Sequence, residues 1–229
     1  MKARELAERA ARRARALVAG RQARRHGLVG RPELWQLKRD FQIAFLRAHG
    51  LEHGHVLVDV GCGTLRGGIP IIEYLDVGGY VGIDVRAEAI EEARRELLES
   101  GLEDKRPELI AAPSLASVDL GRSADRIWAF SVLMHLDDER LMECFEFAQR
   151  HLAADGVFYA NAITAELPPA RWREFPVLSR PVEVYGDFAA SAGLFVRDLG
   201  PLAGLGHVTG LAHHDEQRML ELRIRPRRQ

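Results

Sequence analysis

Two short segments constrain this chain more than any others: Val56–Gly68, VLVDVGCGTLRGG, and Val81–Val85, VGIDV. In the first, an apolar run of strand length carries an acid, Asp59, and passes into a glycine-rich turn. The second is another apolar run, carrying Asp84 near its end. That order predicts a tight turn at the carboxyl end of one buried parallel strand and a carboxylate at the end of the next. Open α/β sheets bind nucleotide-like ligands at that place. Gly61 and Gly63 suit a backbone that must take positive φ and pass close to a ligand.

The spacing narrows the ligand. Asp84 lies 21 residues after Gly63, the distance at which such folds hold ribose hydroxyls. A dinucleotide fingerprint needs a third glycine at position 66, so that a diphosphate can sit on the helix N-terminus. Position 66 is Arg66, and the next glycines are Gly67 and Gly68. Asp59, just before the turn, suits a ligand with an ammonium or sulfonium charge better than a diphosphate.

The D-V-G-C-G-T string resembles the glycine-rich motif of the class I S-adenosylmethionine-dependent methyltransferases, and G-I-D resembles their second motif. The longer string GCGTLRGGIPIIEYLDVGGYVGIDV is similar to one bacterial subgroup with a GCGTLRGG motif. So are DKRPELI (Asp104–Ile110) and FSVLMHL (Phe130–Leu136). The likeness extends from about Gly30 to Gly200. It implies S-adenosylmethionine as cofactor, lying against Asp59, Gly61, Cys62, Gly63, Asp84 and Val85, with Ser114 and Ser131 nearby. One departure stands out. Many relatives carry Asp or Asn after the third strand for the adenine amino group, whereas this chain reads Ala111-Ala112-Pro113-Ser114. No acid stands there, so adenine recognition is expected to rest on backbone groups or Ser114.

The rest of the chain fits that fold. Its 229 residues are 47% hydrophobic, enough for one large α/β domain with additions. No apolar run reaches the ~18 residues of a membrane span, and no secretory leader pattern opens the sequence. Two cysteines, Cys62 and Cys144, make no disulfide framework. A cytoplasmic protein is expected. Strands are expected at Val56–Val60, Tyr80–Asp84, Glu108–Ala111, Asp125–Ser131 and Val157–Asn161. Helices are expected near Gly68–Leu75, Ala87–Ser100 and Glu139–Leu152. Leu194–Leu199 and Met219–Arg225 read as a closing antiparallel pair, after a short helix at Tyr185–Ala192. The sum is a Rossmann-like, doubly wound, mostly parallel seven-stranded sheet with helices on both faces. Asp155–Gly156 reads as a turn before the fifth strand. Leu167–Pro181, with four prolines and no clean period, reads as an insertion over the site.

An N-terminal helical extension precedes this body. Residues 1–50 are expected to form an arm and cap, and residues 51–229 the methyltransferase domain. Residues 2–25 read as a thin alanine- and arginine-rich helix, Gly27–Pro32 as a break, and Glu33–His49 as a better amphipathic helix. Residues 1–50 hold 13 Lys and Arg against 4 Asp and Glu, while the remainder holds 19 against 29. Such asymmetry can serve an anionic surface or a second subunit. We expect the arm to dock on a second copy, giving a homodimer. The acidic body argues against nucleic acid, which needs a basic path to the site.

Methyl transfer from a sulfonium needs mainly proximity and orientation, with a general base where the acceptor is a hydroxyl. Histidine suits that role near neutral pH. His135, after the fourth strand, is the first candidate, and His213 and His214 the second. A histidine at a strand end can equally be structural. His207, His213, His214 and Asp215 could in principle ligate a divalent ion, but loop histidines without defined spacing are usually solvated, and no metal is expected. Arg66 is a candidate contact to the methionine carboxylate or to an acidic group on the acceptor. The N-P-P-Y/F signature of amino methyltransferases is missing where the chain reads Ser131-Val132-Leu133-Met134. That argues against a DNA adenine or glutamine acceptor and leaves other nitrogen acceptors open; the resemblance to the bacterial subgroup implies a methyltransferase acting on a small-molecule or glycan hydroxyl. Its rivals are a non-catalytic cofactor-binding regulatory or assembly protein, and an RNA methyltransferase guided by the basic arm.

Overall fold

The β-strands form because short apolar runs, rich in branched side chains, are buried on both faces of a parallel sheet. In the computed structural model, described here for residue 20 and residues 25–168 and 170–226, the strands are β1 (Leu57–Val60), β2 (Tyr80–Asp84), β3 (Glu108–Ala111), β4 (Ala124–Ala129) and β5 (Leu152–Ala162). A hairpin of β6 (Ala170–Trp172) and β7 (Phe175–Val177) follows, and then β8 (Leu194–Pro201) and β9 (Arg218–Ile224). The main sheet has the order β3-β2-β1-β4-β5-β9-β8. The first five are parallel and β9 runs antiparallel to both neighbours. The order reverses between β1 and β4, and a crevice opens beyond their carboxyl ends.

Helices cover both faces. On one side lie α1 (Trp35–Ala48), α2 (Gly68–Tyr74) and α3 (Ala87–Glu99). Phe41, Phe45, Ile71, Ile90 and Ala93 pack there on Leu57, Trp128 and Tyr159. On the other side α4 (Asp138–His151) and α5 (Val182–Ser191) place Leu141, Phe145, Tyr185 and Ala189 on Val58, Ile127 and Phe158. The side chain of Asp137 caps α4 by accepting from the Arg140 amide at 2.9 Å, which satisfies one of the first-turn donors. Among the described residues no helix is long and apolar enough to cross a membrane.

Several elements differ from the sequence reading. The fourth strand stops at Ala129 rather than Ser131, because Ser131 turns left-handed with φ of 63°. β5 starts at Leu152, and Asp155–Gly156 sits inside it. There the pairing steps from Ala124↔Leu152 to Arg126↔Val157, so the expected turn is a bulge. The insertion expected as irregular chain contains the β6–β7 hairpin. The stretch between β8 and β9 holds a 3₁₀ turn at Leu202–Leu205 and a short helix, α6 (Ala212–Asp215). The helix expected at residues 2–25 falls mostly outside the described residues.

Candidate active site

The crevice at the reversal point is a cavity of about 380 Å³. Its floor is the glycine turn after β1. Gly61 and Gly63 have φ of 72° and 57°, a region that L side chains rarely adopt. Space agrees with conformation: a Cβ on Gly61 would come within 2.5 Å of Val132, and one on Gly63 within 2.5 Å of Val29. The turn is held by Asp84, whose Oδ2 accepts from the Gly63 amide at 3.0 Å. Its Oδ1 accepts from the Arg86 amide at 2.9 Å and from Arg86 Nε at 3.2 Å. The two motif halves are thus joined by one buried carboxylate.

Asp59 is also buried, and its Oδ2 accepts from the Tyr80 hydroxyl at 2.7 Å. Burial pushes its carboxyl up to about 7, against the lowering effect of the Tyr80 hydrogen bond, with Asp84 adding to the rise. A cationic group arriving beside Asp59 would favour the ionised form. Burial pushes the Cys62 thiol well up, so it stays a neutral wall residue. Val85, at the end of β2, shows 46% of its surface, an exposed apolar side chain at the rim.

The nine residues expected around the cofactor, Asp59, Gly61, Cys62, Gly63, Arg66, Asp84, Val85, Ser114 and Ser131, all line this one cavity. His135 lines it too. Its Nδ1 lies 2.8 Å from the Pro176 carbonyl on β7. A carbonyl can only accept, so Nδ1 carries the hydrogen and Nε2 of the neutral ring keeps its lone pair. Burial lowers the His135 pKa, the bond to Pro176 partly offsets this, and Arg86 and Lys38 lower it further. Trp172 and Phe175 flank the ring, with centroids at 5.4 and 6.2 Å.

His213 and His214 are not brought to the cavity. They lie on α6 with ring centroids 4.4 Å apart. The stretch between β8 and β9 does not line the cavity but backs it: the His207 ring packs on Phe130 at 5.6 Å, and Gln217 Oε1 accepts from Asn161 Nδ2, whose Oδ1 accepts from the Ser131 amide. Among the described residues no cluster of His, Cys, Asp and Glu could hold a metal ion. Trp35 and Arg39 of α1 do not line the cavity. Gln42 of the same helix does, and its Oε1 accepts from Trp128 Nε1 at 2.9 Å.

The structure adds residues that sequence reasoning missed. Glu143 of α4 lines the cavity next to Ser114, accepting from the Ser114 hydroxyl and, at 2.7 Å, from the Ala116 amide. An acid thus stands beside Ser114 after all, from a helix position 29 residues further along the sequence. The break expected at Gly27–Pro32 is a wall: Val29 lines the cavity, its carbonyl accepts from Arg66 Nη1 at 2.7 Å, and the Leu28 carbonyl accepts from Arg86 Nη1 at 2.8 Å. The Arg86 guanidinium also lies over Trp172, 5.4 Å from the ring centre. The two arginines after the two strands thus pin an N-terminal segment across the turn. Two arginines following two motif strands were the available signal, but nothing local named their acceptors.

Residues 58–158 match the family model of a methyltransferase domain. No curated protein matches the chain in sequence. Solved structures do match in fold. The CcbJ methyltransferase of Streptomyces caelestis aligns with a TM-score of 0.63 at 13% identity, over 82% of this chain and 90% of that one. Magnesium protoporphyrin IX methyltransferase of Synechocystis PCC 6803, solved with SAH bound, aligns with a TM-score of 0.63 at 17% identity, over 83% of each chain. The glycopeptide N-methyltransferase MtfA, complexed with S-adenosyl-L-methionine, gives 0.62 at 13%, over 81% of this chain and 92% of that one. The family model thus spans both aspartates and the glycine turn of the cavity, and the chain shares the fold of these methyltransferases.

Proposed function

We propose that this enzyme methylates a hydroxyl of a small molecule or glycan, with His135 receiving the proton. The observation that carries this reading is the hydrogen bond from His135 Nδ1 to the Pro176 carbonyl, which leaves Nε2 basic on the cavity wall. A buried, neutral imidazole needs no acid-base adjustment before it acts near neutral pH. When bound, S-adenosylmethionine supplies a methyl group on a positively charged sulfur with a neutral thioether as leaving group. The chain's part is then positional. Asp84 is suited to the ribose hydroxyls, Asp59 to the cationic end, and Val85 with Ser114 and Glu143 to the base. His135 would orient the acceptor hydroxyl and take up its proton on Nε2.

The fold neighbour that is a glycopeptide N-methyltransferase makes an amine the competing acceptor. Radiolabelled S-adenosylmethionine, offered with matched hydroxyl and amine acceptors, separates the two. Methyl ether products support our reading, and methylamine products alone overturn it. The basic arm, positions 2–25, we assign to contact with a second copy of the chain. Sedimentation of the full chain and of a chain lacking residues 1–19 tests this, and equal mass per particle for both would refute it.

A further inference from the structure

The β6–β7 hairpin holds two large aromatic side chains that no core claims. Trp172 and Phe175 belong to neither hydrophobic core and stay only part-buried, yet both line the cavity. Their rings lie nearly parallel, with centroids 6.1 Å and planes 19° apart, an offset arrangement that aromatic pairs favour. The hairpin is fixed to the turn after β4. Leu178, just past β7, donates its amide to the Met134 carbonyl at 2.8 Å, and His135 Nδ1 donates to the Pro176 carbonyl. Trp172 is steadied further by the guanidinium groups of Arg86 and Arg173, 5.4 and 5.6 Å from its ring centre. Arg86 in turn bonds Asp84. The aromatic wall is therefore already formed, and Trp172 links His135 to the Asp84–Arg86 pair.

The polar side chains elsewhere in the lining are largely committed to the protein. Gln42 bonds the Trp128 indole and the Lys38 carbonyl, Arg66 the Val29 carbonyl, and Arg140 the Pro113 carbonyl, while Glu143 accepts from Ser114 and the Ala116 amide. A sugar entering the cavity would leave several hydroxyls short of partners, and each buried unpaired group is costly. An aromatic ring brings flat faces that stack on Trp172 and Phe175 and needs a partner for one hydroxyl alone. Base strength agrees. Burial holds His135 below the ordinary histidine value. A phenolic hydroxyl titrates near 10, whereas an aliphatic one stays close to the ~15.7 of water. Proton uptake by His135 is then uphill by at least about three powers of ten from the first and at least about nine from the second.

Resting on the hydroxyl reading above, we propose that Trp172 and Phe175 form the subsite for a flat aromatic ring that carries the acceptor hydroxyl, so that the substrate class is a phenol and not a sugar or an aliphatic alcohol. The ring stacks on the hairpin wall, and its hydroxyl meets Nε2 of His135, whose own ring lies 5.4 Å from that of Trp172. The two aromatic side chains select the acceptor and take no part in moving its proton.

The test uses the full chain loaded with S-adenosylhomocysteine. Calorimetry follows binding of 2-naphthol, of its fully saturated counterpart decahydro-2-naphthol, and of methyl glucoside. The first two share a carbon skeleton and a hydroxyl and differ in flatness and π-character. The wild type should bind 2-naphthol about tenfold or more tighter than either other probe, as two aromatic contacts allow. Trp172→Leu and Phe175→Leu should each weaken 2-naphthol about three- to tenfold, the worth of one aromatic pair, and Trp172→Phe should retain most of the binding. S-adenosylhomocysteine affinity should change by less than about threefold in all three variants, because the rings touch the acceptor. The ranking of the probes on the wild type carries the test should a variant fail to fold. The proposal is overturned if 2-naphthol does not bind, if either other probe binds as tightly, or if the leucine variants bind 2-naphthol as the wild type does. It is also overturned if Trp172→Leu loses S-adenosylhomocysteine about tenfold, which would place that ring in the cofactor's own site. The hydroxyl reading fails in a different way. With S-adenosylmethionine supplied, methylation of 2-naphthylamine beside bound but unreacted 2-naphthol overturns that reading and supports the aromatic subsite. Methylation of methyl glucoside with no binding of 2-naphthol keeps the hydroxyl reading and overturns the subsite.

Discussion

The two sides of the cavity are built in different ways. The Asp84 side comes from two adjacent parallel strands and the turn between them. Its key bonds, Asp84 to the Gly63 amide and to Arg86, join residues that lie within one βαβ unit. The His135 side is assembled from distant pieces. His135 follows β4, its carbonyl partner is on β7, and Gln42 stands on a helix almost a hundred residues earlier. The first side is a backbone cradle with one carboxylate, suited to a ligand that never varies. The second is made of side chains from α1, the turn after β4 and a hairpin, where change is tolerated without disturbing the sheet. On the proposed reading the contrast makes cofactor handling and acceptor choice separable, and experiments can try to break that separation.

The largest expected effect falls on the His135 side. His135→Ala should lower kcat by about 10²–10⁴ while leaving cofactor affinity almost unchanged, and His135→Asn should recover orientation but not proton removal. Because burial lowers the His135 pKa, the acid limb of kcat/KM should lie below about pH 6.5, with rate rising as pH rises through it. Steady-state kinetics with parallel S-adenosylhomocysteine titrations measure both. A cofactor affinity that collapses along with kcat would merge the two sides.

Next comes Asp84→Ala, which removes the carboxylate from the turn. Cofactor affinity should weaken by roughly 1.5–3 kcal/mol, the range for a lost charged hydrogen bond. Unchanged affinity by calorimetry would detach the second aspartate from cofactor binding and undo the comparison at its root.

A smaller effect concerns stability. Burial pushes His207 down to about 4, below the value of an unfolded histidine, so the unfolded chain takes up the proton first. Stability should be full above about pH 6.5 and fall by on the order of 2 kcal/mol as pH drops toward 4. Urea midpoints near pH 7 and pH 4.5, for the wild type and for His207→Phe, isolate this contribution. An equal acid loss in both proteins would show that His207 is not its source.

The smallest effect is expected for His213→Ala. His213 is exposed on α6 and does not line the cavity, so turnover should stay within about twofold, as for most surface changes. A large loss would extend the acceptor side out to α6 and redraw its boundary.

From the sequence alone, the sheet and the Asp84 side could be read almost completely. Strand runs such as LVDV and YVGID are continuous because parallel strands are buried on both faces. Gly61 and Gly63 are written into a local turn whose φ values other residues resist, and the 21-residue step to Asp84 is the length of one helix and strand. Such features depend on neighbours in the chain. Tertiary structure alone decided the rest. Glu143 reaches Ser114 because α4 packs on that face of the sheet, and His135 receives its tautomer from a hairpin that reads in sequence as proline-rich loop. Val29 becomes a wall because Arg66 and Arg86 bind carbonyls on either side of position 29. Gln42 has the ordinary spacing of a helix residue, and its bond to Trp128 on the cavity wall follows only from how α1 packs on the sheet. Backbone conformation is governed by local sterics and leaves a local signature. A contact between distant side chains is governed by packing geometry and leaves none.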